Sequence, residues 1–121
     1  SHHYLPDGIY SYPDEQLTSR LARSLEKTGI DYQVGSTWTI DAPYRETKKE
    51  ISKYKKKGIK TVEMEASALF AVAKIRGAKI ASVFVVSDIL GEKWDPQFHK
   101  FDVKRTLNRL VDASIICLKN K

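Results

Sequence analysis

The sequence predicts an α/β fold in which helices cover a mostly parallel sheet. Helical and strand-like segments alternate along the 121 residues, in the order helix, strand, helix, strand, helix, strand, helix. Residues 79–87 are almost continuously apolar, which is typical of a strand buried on both faces of a parallel sheet. We therefore expect the strands to be joined by helices in right-handed crossovers.

The first helix is predicted to follow Asp14 and to end at Gly29. Asp14 comes after a proline and is a good N-cap, and glycine is a frequent residue just past a helix C-terminus. Residues 1–13 have no hydrophobic period and are predicted to form a loop or an irregular strand. Three leucines of the helix repeat on one helical stripe: Leu17, Leu21 and Leu25.

The middle of the chain alternates twice between strand and helix. Pro43 interrupts the first strand, and Gly58 and Gly77 are natural ends for the two helices. The second of these helices is rich in alanine, which allows close packing on a sheet. The predicted segments are a strand over 30–40, a charged and mostly exposed helix over 46–57, a strand over 59–64 and a helix over 65–76.

The last part of the chain is predicted to contain a strand over 79–87, a loop over 91–96 and a helix over 98–119. Only three strands are predicted, and the apolar third strand needs a neighbour on each edge. We therefore expect the chain to be part of a larger α/β domain or to complete its sheet with another chain. One face of the last helix is predicted to be buried, with Leu107, Leu110, Val111, Ser114, Ile115 and Leu118.

The net charge of +6 is concentrated in a lysine-rich segment between residues 48 and 60. Such a segment is either a nucleic-acid surface or a solvated helix face. Aromatic residues are not interleaved there as stacking platforms, so the solvated face is favoured and no nucleic-acid partner is expected. The positive field would also favour an anionic substrate.

Composition also indicates the compartment. Cys117 is the single cysteine, so no internal disulfide is possible, which fits a reducing cytoplasm. No apolar stretch approaches the ~20 residues of a membrane span, so no membrane partner is expected. None of the three histidines has metal-ligand spacing to a cysteine or another histidine, and no metal site is predicted.

Three acids follow predicted strands in the second half of the chain. Glu63 and Glu65 lie two positions apart, so in a strand they would project to one side, roughly 7 Å apart, with Met64 opposite. Asp88 ends the apolar third strand. Ligands of open α/β sheets bind beyond the carboxyl ends of strands, and ionised carboxylates accept hydrogen bonds from neighbouring hydroxyls. The pattern predicts a site for a vicinal diol such as a ribose, with a nearby acid for proton transfer.

Each of these residues also has a structural interpretation. Glu63 and Glu65 would be surface acids at a strand–helix junction, with Glu65 favoured by the helix dipole. Asp88 would be an N-cap or a turn residue, and Trp38 would be a core residue rather than a ligand platform.

Taken in order, the segments resemble the nucleoside phosphorylase family that includes uridine phosphorylases and hexameric bacterial-type purine nucleoside phosphorylases. The pairing of a Glu-Met-Glu-Ala segment with a Ser-Asp strand, separated by a helix that a glycine ends, is the specific part. The matching segments are SHHYLP at 1–6, VGSTWTIDAPY at 34–44, VEMEA at 62–66 and VSD at 86–88.

The resemblance implies an αβα sandwich around a mixed central sheet, of which residues 1–121 would be the C-terminal part of a single domain. It implies that the N-terminal, phosphate-binding half is absent. The implied reaction is phosphorolysis of a ribonucleoside to a base and ribose 1-phosphate, with inorganic phosphate as co-substrate and no other cofactor. It further implies a homo-oligomer, a hexamer in the intact family.

The resemblance also implies roles for individual residues. Asp88 is similar to the acid that protonates the leaving base at N7 in purine-specific members. Positions at which uridine phosphorylases read uracil hold Pro43, Thr47 and Lys49 here. The implied substrate-binding residues are Glu65 for the ribose 2′- and 3′-hydroxyls, Met64 against the sugar, Glu63 in support, Trp38 against the base, and Ser87 beside the acid.

Two other functions stay open from the sequence. A related nucleosidase shares the Glu-Met-Glu core and the Ser-Asp strand but uses water in place of phosphate. A non-catalytic module that binds nucleotides or mediates assembly belongs to a different class. Dependence of the activity on phosphate would separate the three.

Overall fold

The computed structural model of the chain describes residues 10–89 and 101–119. These residues form two compact units, one of residues 10–14 and 33–80, and one of residues 15–32, 81–89 and 101–119. The elements are α1 (Glu15–Lys27), β1 (Thr37–Thr39), a 3₁₀ turn (Pro43–Arg45), α2 (Lys48–Lys56), β2 (Thr61–Glu63), α3 (Ala66–Arg76) and α4 (Phe101–Lys119).

The first unit contains a two-stranded parallel sheet. Strands β1 and β2 pair with Trp38 opposite Val62 and Thr39 opposite Glu63. The amide of Ile40 donates to the carbonyl of Glu63 at 2.9 Å, which extends the contact just past the carboxyl end of β1. The expected mixture of helices with parallel strands is confirmed for this pair of strands, although both strands are shorter than predicted.

The helices of the first unit begin and end where local chemistry places them. The Thr47 side chain accepts a hydrogen bond from the amide of Glu50 at 3.3 Å and so caps α2. Gly58, with φ of +77°, follows α2, and Gly77, with φ of +63°, ends α3. Both glycines adopt the left-handed conformation that disfavours residues with a Cβ. The predicted helix ends are therefore confirmed at both positions.

The second unit is an antiparallel pair of helices, α1 and α4. Arg20 of α1 donates to the carbonyl of Cys117, near the C-terminus of α4. Arg109 of α4 donates to the carbonyls of Thr28 and Gly29, just past the C-terminus of α1, at 3.1 and 3.0 Å. Each helix thus satisfies carbonyl groups that the other leaves free at its end. The core of the unit consists of Leu21, Leu25, Ile30, Leu110, Ala113 and Cys117.

Tyr32 follows this core in the chain and contacts α1. Its hydroxyl donates to Oε1 of Glu26 at 2.7 Å. That hydrogen bond, with smaller effects of desolvation and of the Glu26 charge, raises the pKa of Tyr32 above its ordinary value.

The face of α4 that is buried differs from the predicted one. Leu110, Ala113 and Cys117 pack against α1, and the small side chains of the last two allow close approach. Of the six residues predicted to share one buried face, four are exposed: Leu107, Val111, Ile115 and Leu118. The prediction followed the widest apolar stripe, whereas α1 packs against a neighbouring, narrower one.

The predicted strand over 79–87 is also wrong, because this segment has no regular secondary structure. Its side chains do alternate as in a strand: Ala81, Val83 and Val85 pack against the core of the second unit, whereas Phe84 and Val86 are exposed. A ladder needs the backbone of a neighbouring strand, and the described residues provide none here. The segment is therefore covered on one face and not on two. The predicted loop over 91–96 lies outside the described residues.

Within the described part of the chain, no helix has both the length and the apolar character needed to cross a membrane.

Candidate functional site

The carboxylate of Glu63 lies at the centre of a hydrogen-bond network at the carboxyl ends of β1 and β2. Its Oε1 accepts a hydrogen bond from the hydroxyl of Thr39, the residue opposite it in the sheet. Its Oε2 accepts from the backbone amides of Glu65 at 2.8 Å and Ala66 at 2.5 Å. The Thr39 oxygen in turn accepts from the amide of Ser67 at 3.1 Å. Glu63 and Thr39 together therefore satisfy three amide groups at the start of α3.

This network caps α3 with side chains other than that of the N-cap residue. Glu65 is the N-cap residue by its backbone, but its side chain makes no capping hydrogen bond. The negative charge that the helix N-terminus favours comes instead from Glu63, two residues earlier. Glu65 retains a backbone role, because its carbonyl accepts from the amide of Leu69 at 3.1 Å. Glu63 and Glu65 thus carry the same functional group in different surroundings.

Glu65 and Met64 lie in a bend between β2 and α3 and are both exposed. Strand β2 ends at Glu63, so Glu65 is not in the strand, and the expected projection of both acids from one strand is wrong. The bend uses the Glu63 carboxylate for capping and leaves that of Glu65 without a hydrogen-bond partner among residues 10–89 and 101–119. A solvent-facing carboxylate with open lone pairs can accept two hydroxyl donors.

Trp38 lies in the middle of β1 and stacks on Tyr54 of α2. The ring centroids are 4.3 Å apart, and the ring planes are inclined by 26°. Since successive side chains of a strand alternate in direction, Trp38 projects to the face of the sheet opposite Thr39. Trp38 is half-buried, with Tyr54 against one face of its indole. Contact of Trp38 with a base stays a prediction.

Ser87 and Asp88 belong to the second compact unit, at the end of the extended segment that packs on α1 and α4. The Ser87 hydroxyl donates to Oδ1 of Asp88 at 2.6 Å, and both residues are half-buried. The serine therefore fixes the orientation of the carboxylate next to it. The predicted site residues are divided between the two units, with Trp38, Glu63, Met64 and Glu65 in the first.

Two residues of this region were not predicted from the sequence. Thr39 has no role assigned from the sequence, yet it links Glu63 to the amide of Ser67. Tyr54 was seen as part of a charged helix, although its spacing of three from Ile51 indicates an inward face. Both contacts connect elements far apart in the chain, which periodicity within one element does not reveal.

Metal ligation has no support in the described residues, where no group of three or more His, Cys, Asp or Glu side chains is arranged to hold a metal ion.

Comparison with known proteins agrees with the resemblance seen in the sequence. A family model described as the phosphorylase superfamily matches residues 1–120. The chain therefore belongs to the phosphorylase superfamily.

Individual relatives bear a more specific name. The chain is 31% identical over 104 residues to a protein of Shewanella loihica named purine nucleoside phosphorylase DeoD-type. The aligned segment covers 84% of this chain and 44% of that protein. It is 35% identical over 102 residues to one of Mannheimia succiniciproducens, with 84% and 42% covered. A third, of Colwellia psychrerythraea, is 37% identical over 82 residues, with 66% and 35% covered. The chain spans less than half the length of these curated relatives.

Proposed function

We propose that the chain supplies the sugar- and base-binding part of a nucleoside phosphorylase, which converts a ribonucleoside and phosphate to a base and ribose 1-phosphate. The observation that carries the proposal is the different use of the two glutamates. Glu63 is occupied by the capping network, whereas the Glu65 carboxylate is exposed beside it with no partner in the described chain. Glu65 is thereby held by the backbone of a capped helix and presents its oxygens to a ligand.

In the proposed reaction, the C1′–N9 bond of the nucleoside breaks and its electron pair passes to the base. A phosphate oxygen then forms the new bond at C1′. Glu65 would accept hydrogen bonds from the 2′- and 3′-hydroxyls and hold the sugar while positive charge develops at C1′. Asp88 would give a proton to N7 of the departing purine and regain one in the reverse direction. The Ser87 hydroxyl would hold the Asp88 carboxyl in position.

We propose purine nucleosides as the preferred substrates. Support comes from the names of the relatives, all purine nucleoside phosphorylases of the DeoD type. It also comes from an acid at position 88 and from the absence of the uracil-reading residues that uridine phosphorylases carry.

We also propose that the chain forms the C-terminal part of an αβα sandwich. Groups that hold phosphate would lie in the other part of that domain, and the intact protein would be a homo-oligomer. The coverage of the relatives, below one half of their length, supports only that the chain corresponds to part of a longer protein.

The test is an assay of the protein expressed from its complete coding sequence. Release of base from inosine, adenosine and uridine is measured with and without phosphate, and the sugar product is identified. Phosphate-dependent formation of ribose 1-phosphate, fastest with a purine nucleoside, is the expected result. Release of free ribose without phosphate would instead identify a nucleosidase. Absence of turnover, with retained nucleoside binding, would identify a binding module.

A further inference from the structure

The positive charge of the chain is concentrated on one short segment of the first unit. Residues 45–60 contain eight basic residues against two acidic ones, a net charge of +6 that equals that of the whole chain. All eight basic side chains are exposed. They are Arg45, Lys48, Lys49, Lys53, Lys55, Lys56, Lys57 and Lys60.

Local helix stability explains only part of this arrangement, because the helix dipole favours the lysines of the last turn, Lys53, Lys55 and Lys56. Lys49, Lys53 and Lys56 follow one another at spacings of four and three, so they form a stripe on one face of α2. Like charges at such spacings destabilise a helix, and Lys48 and Lys49 in the first turn oppose the helix dipole. A solvated helix face usually alternates in sign. Helix stability thus does not account for Lys48, Lys49 or the repulsion within the stripe, which indicates that this charge serves an interaction.

A concave surface lies beside this stripe. It has a volume of about 520 Å³ and is lined by Tyr44, Arg45, Thr47, Lys49, Glu50 and Lys53. Ligand clefts commonly measure about 300–1,000 Å³. Three of the lining residues are cations, Glu50 is the single acid, and Tyr44 is 88% exposed, so its ring is open to stacking.

One aromatic ring, that of Tyr54, lies among the lysines in the sequence and in the structure, so the expectation that no aromatic residue is interleaved there is wrong. The Nζ atoms of Lys53 and Lys57 lie 5.5 and 5.9 Å from the ring centroid of Tyr54, within the range of cation–π attraction. Tyr54 is itself fixed by stacking on Trp38. The two lysines are thereby oriented before any ligand arrives, which lowers the entropy that binding would cost.

We propose that residues Tyr44, Arg45, Lys49, Lys53, Lys56 and Lys57, the basic surface, bind single-stranded nucleic acid. The cations contact successive phosphates, and a base stacks on Tyr44; this combination is general for single-strand binding. The lysines beyond the concave part exceed what a single free nucleotide needs. A bilayer is disfavoured, because the apolar residues of α2, Ile51 and Tyr54, are half-buried and Tyr54 stacks on Trp38. The proposal replaces the expectation that nucleic acid is not a partner, and it is independent of phosphorolysis.

Fluorescence anisotropy of the protein expressed from its complete coding sequence, with labelled oligodeoxyadenylate of about 12 nucleotides, tests the proposal. We expect Lys49→Gln/Lys53→Gln/Lys56→Gln to weaken binding about tenfold or more and to reduce the slope of log K against log salt by about two. Tyr44→Ala should weaken binding about fivefold or more and leave that slope unchanged. Lys and Gln have similar helix propensities, so circular dichroism should show α2 intact in the triple variant.

The matched control is Lys27→Gln/Lys74→Gln/Lys104→Gln, which removes the same charge from exposed positions outside the basic surface. Its binding should change less than about threefold. An equal loss in this control would overturn the proposal, because binding would then follow net charge alone. Unlabelled oligonucleotide and inorganic polyphosphate are compared as competitors of the labelled oligonucleotide. If polyphosphate competes as effectively per phosphate, the role of Tyr44 is overturned. The choice of partner would be overturned if adenosine monophosphate bound as tightly as the oligonucleotide. It would also be overturned if phosphatidylserine vesicles bound and the oligonucleotide did not.

Discussion

At the scale of single residues, Glu65 is the side chain whose role can be tested most directly. In the intact enzyme, Glu65→Ala should lower kcat/KM for a ribonucleoside by about 10²-fold, because two charge-assisted hydrogen bonds to the sugar are lost. A 2′-deoxyribonucleoside offers only one of those hydroxyls and should lose less. Steady-state kinetics with adenosine and 2′-deoxyadenosine measure the difference. Equal losses with both substrates would contradict a role in holding the diol.

Asp88 is expected to act on the leaving base. Asp88→Asn should reduce turnover of inosine or adenosine by about 10²-fold, the usual effect of losing a general acid. Nucleosides whose base leaves readily without protonation should be affected much less. The comparison of kcat for both kinds of substrate measures this. Uniform loss across leaving groups would indicate that Asp88 positions the substrate and does not donate a proton.

Thr39 links the two strands to the start of α3, and a nearly isosteric change isolates its hydroxyl. Thr39→Val removes the donor to Glu63 and the acceptor for the Ser67 amide. We expect a local loss of about 1 kcal/mol, seen as roughly fivefold faster exchange of the amides of Ala66 and Ser67 by NMR.

Thr37 provides the control for that experiment. Its hydroxyl also donates across the two strands, but to the backbone carbonyl of Thr61 at 3.2 Å and not to the Glu63 carboxylate that caps α3. Thr37→Val should therefore leave exchange at residues 66 and 67 unchanged. If both variants accelerated it alike, Thr39 would act through the sheet and not through the cap.

At the scale of elements, the arginine contacts between α1 and α4 give a stability prediction. Arg109→Met keeps an aliphatic side chain but removes the two hydrogen bonds to Thr28 and Gly29. Because the contact is exposed, we expect the free energy of unfolding to fall by only about 1 kcal/mol in urea titrations. Arg23→Met, an exposed change on α1, serves as control and should have an effect below about 0.5 kcal/mol. Similar losses in both variants would contradict the capping role of Arg109.

The sequence predicted helices better than strands, and the reason is physical. Gly29, Gly58 and Gly77 end helices through their own backbone conformation, which is a local property. Strand pairing depends on a distant partner, so the segment over 79–87 has the alternation of a strand without its ladder. The buried face of α4 was wrongly predicted for a similar reason, because α1 selects among its apolar stripes.

Prediction of the candidate site had the same limit. The spacing of the Glu-Met-Glu-Ala segment did not distinguish Glu63 from Glu65, to which only the family resemblance gave different roles. That distinction depends on where β2 ends and on Thr39 of the neighbouring strand. The pairing of Trp38 with Tyr54 likewise required the packing of α2 on the sheet.

At the scale of the whole molecule, the exposed apolar residues predict association. They include Phe84 and Val86, on the open side of the extended segment, together with stripes on two helices. Unpaired strand-like backbone and uncovered apolar side chains both favour contact with other chains. The stripes are Leu69, Val72 and Ile75 on α3, and Leu107, Val111, Ile115 and Leu118 on α4.

We therefore expect the 121-residue chain to associate with itself, or with a complementary part of the same enzyme, at low micromolar concentration. Sedimentation velocity measures this directly. Val111→Lys/Ile115→Lys should reduce self-association, whereas Lys104→Gln, on the same helix, should not. A sharp monomer boundary with cooperative thermal unfolding would show that the chain is a self-sufficient domain.

The pairing of α1 with α4 also matters during protein synthesis. The contacts between Arg109 and the end of α1 join residues 80 and 81 positions apart, and Arg20 lies 97 positions from Cys117. A ribosome adds about 5–20 residues per second, so the leucine stripe of α1 waits roughly 4–16 s for its partner helix to be made. Throughout that interval the apolar residues of α1 lack the partner that α4 provides. We therefore expect the nascent chain to bind chaperones that shield these apolar residues until α4 leaves the exit tunnel.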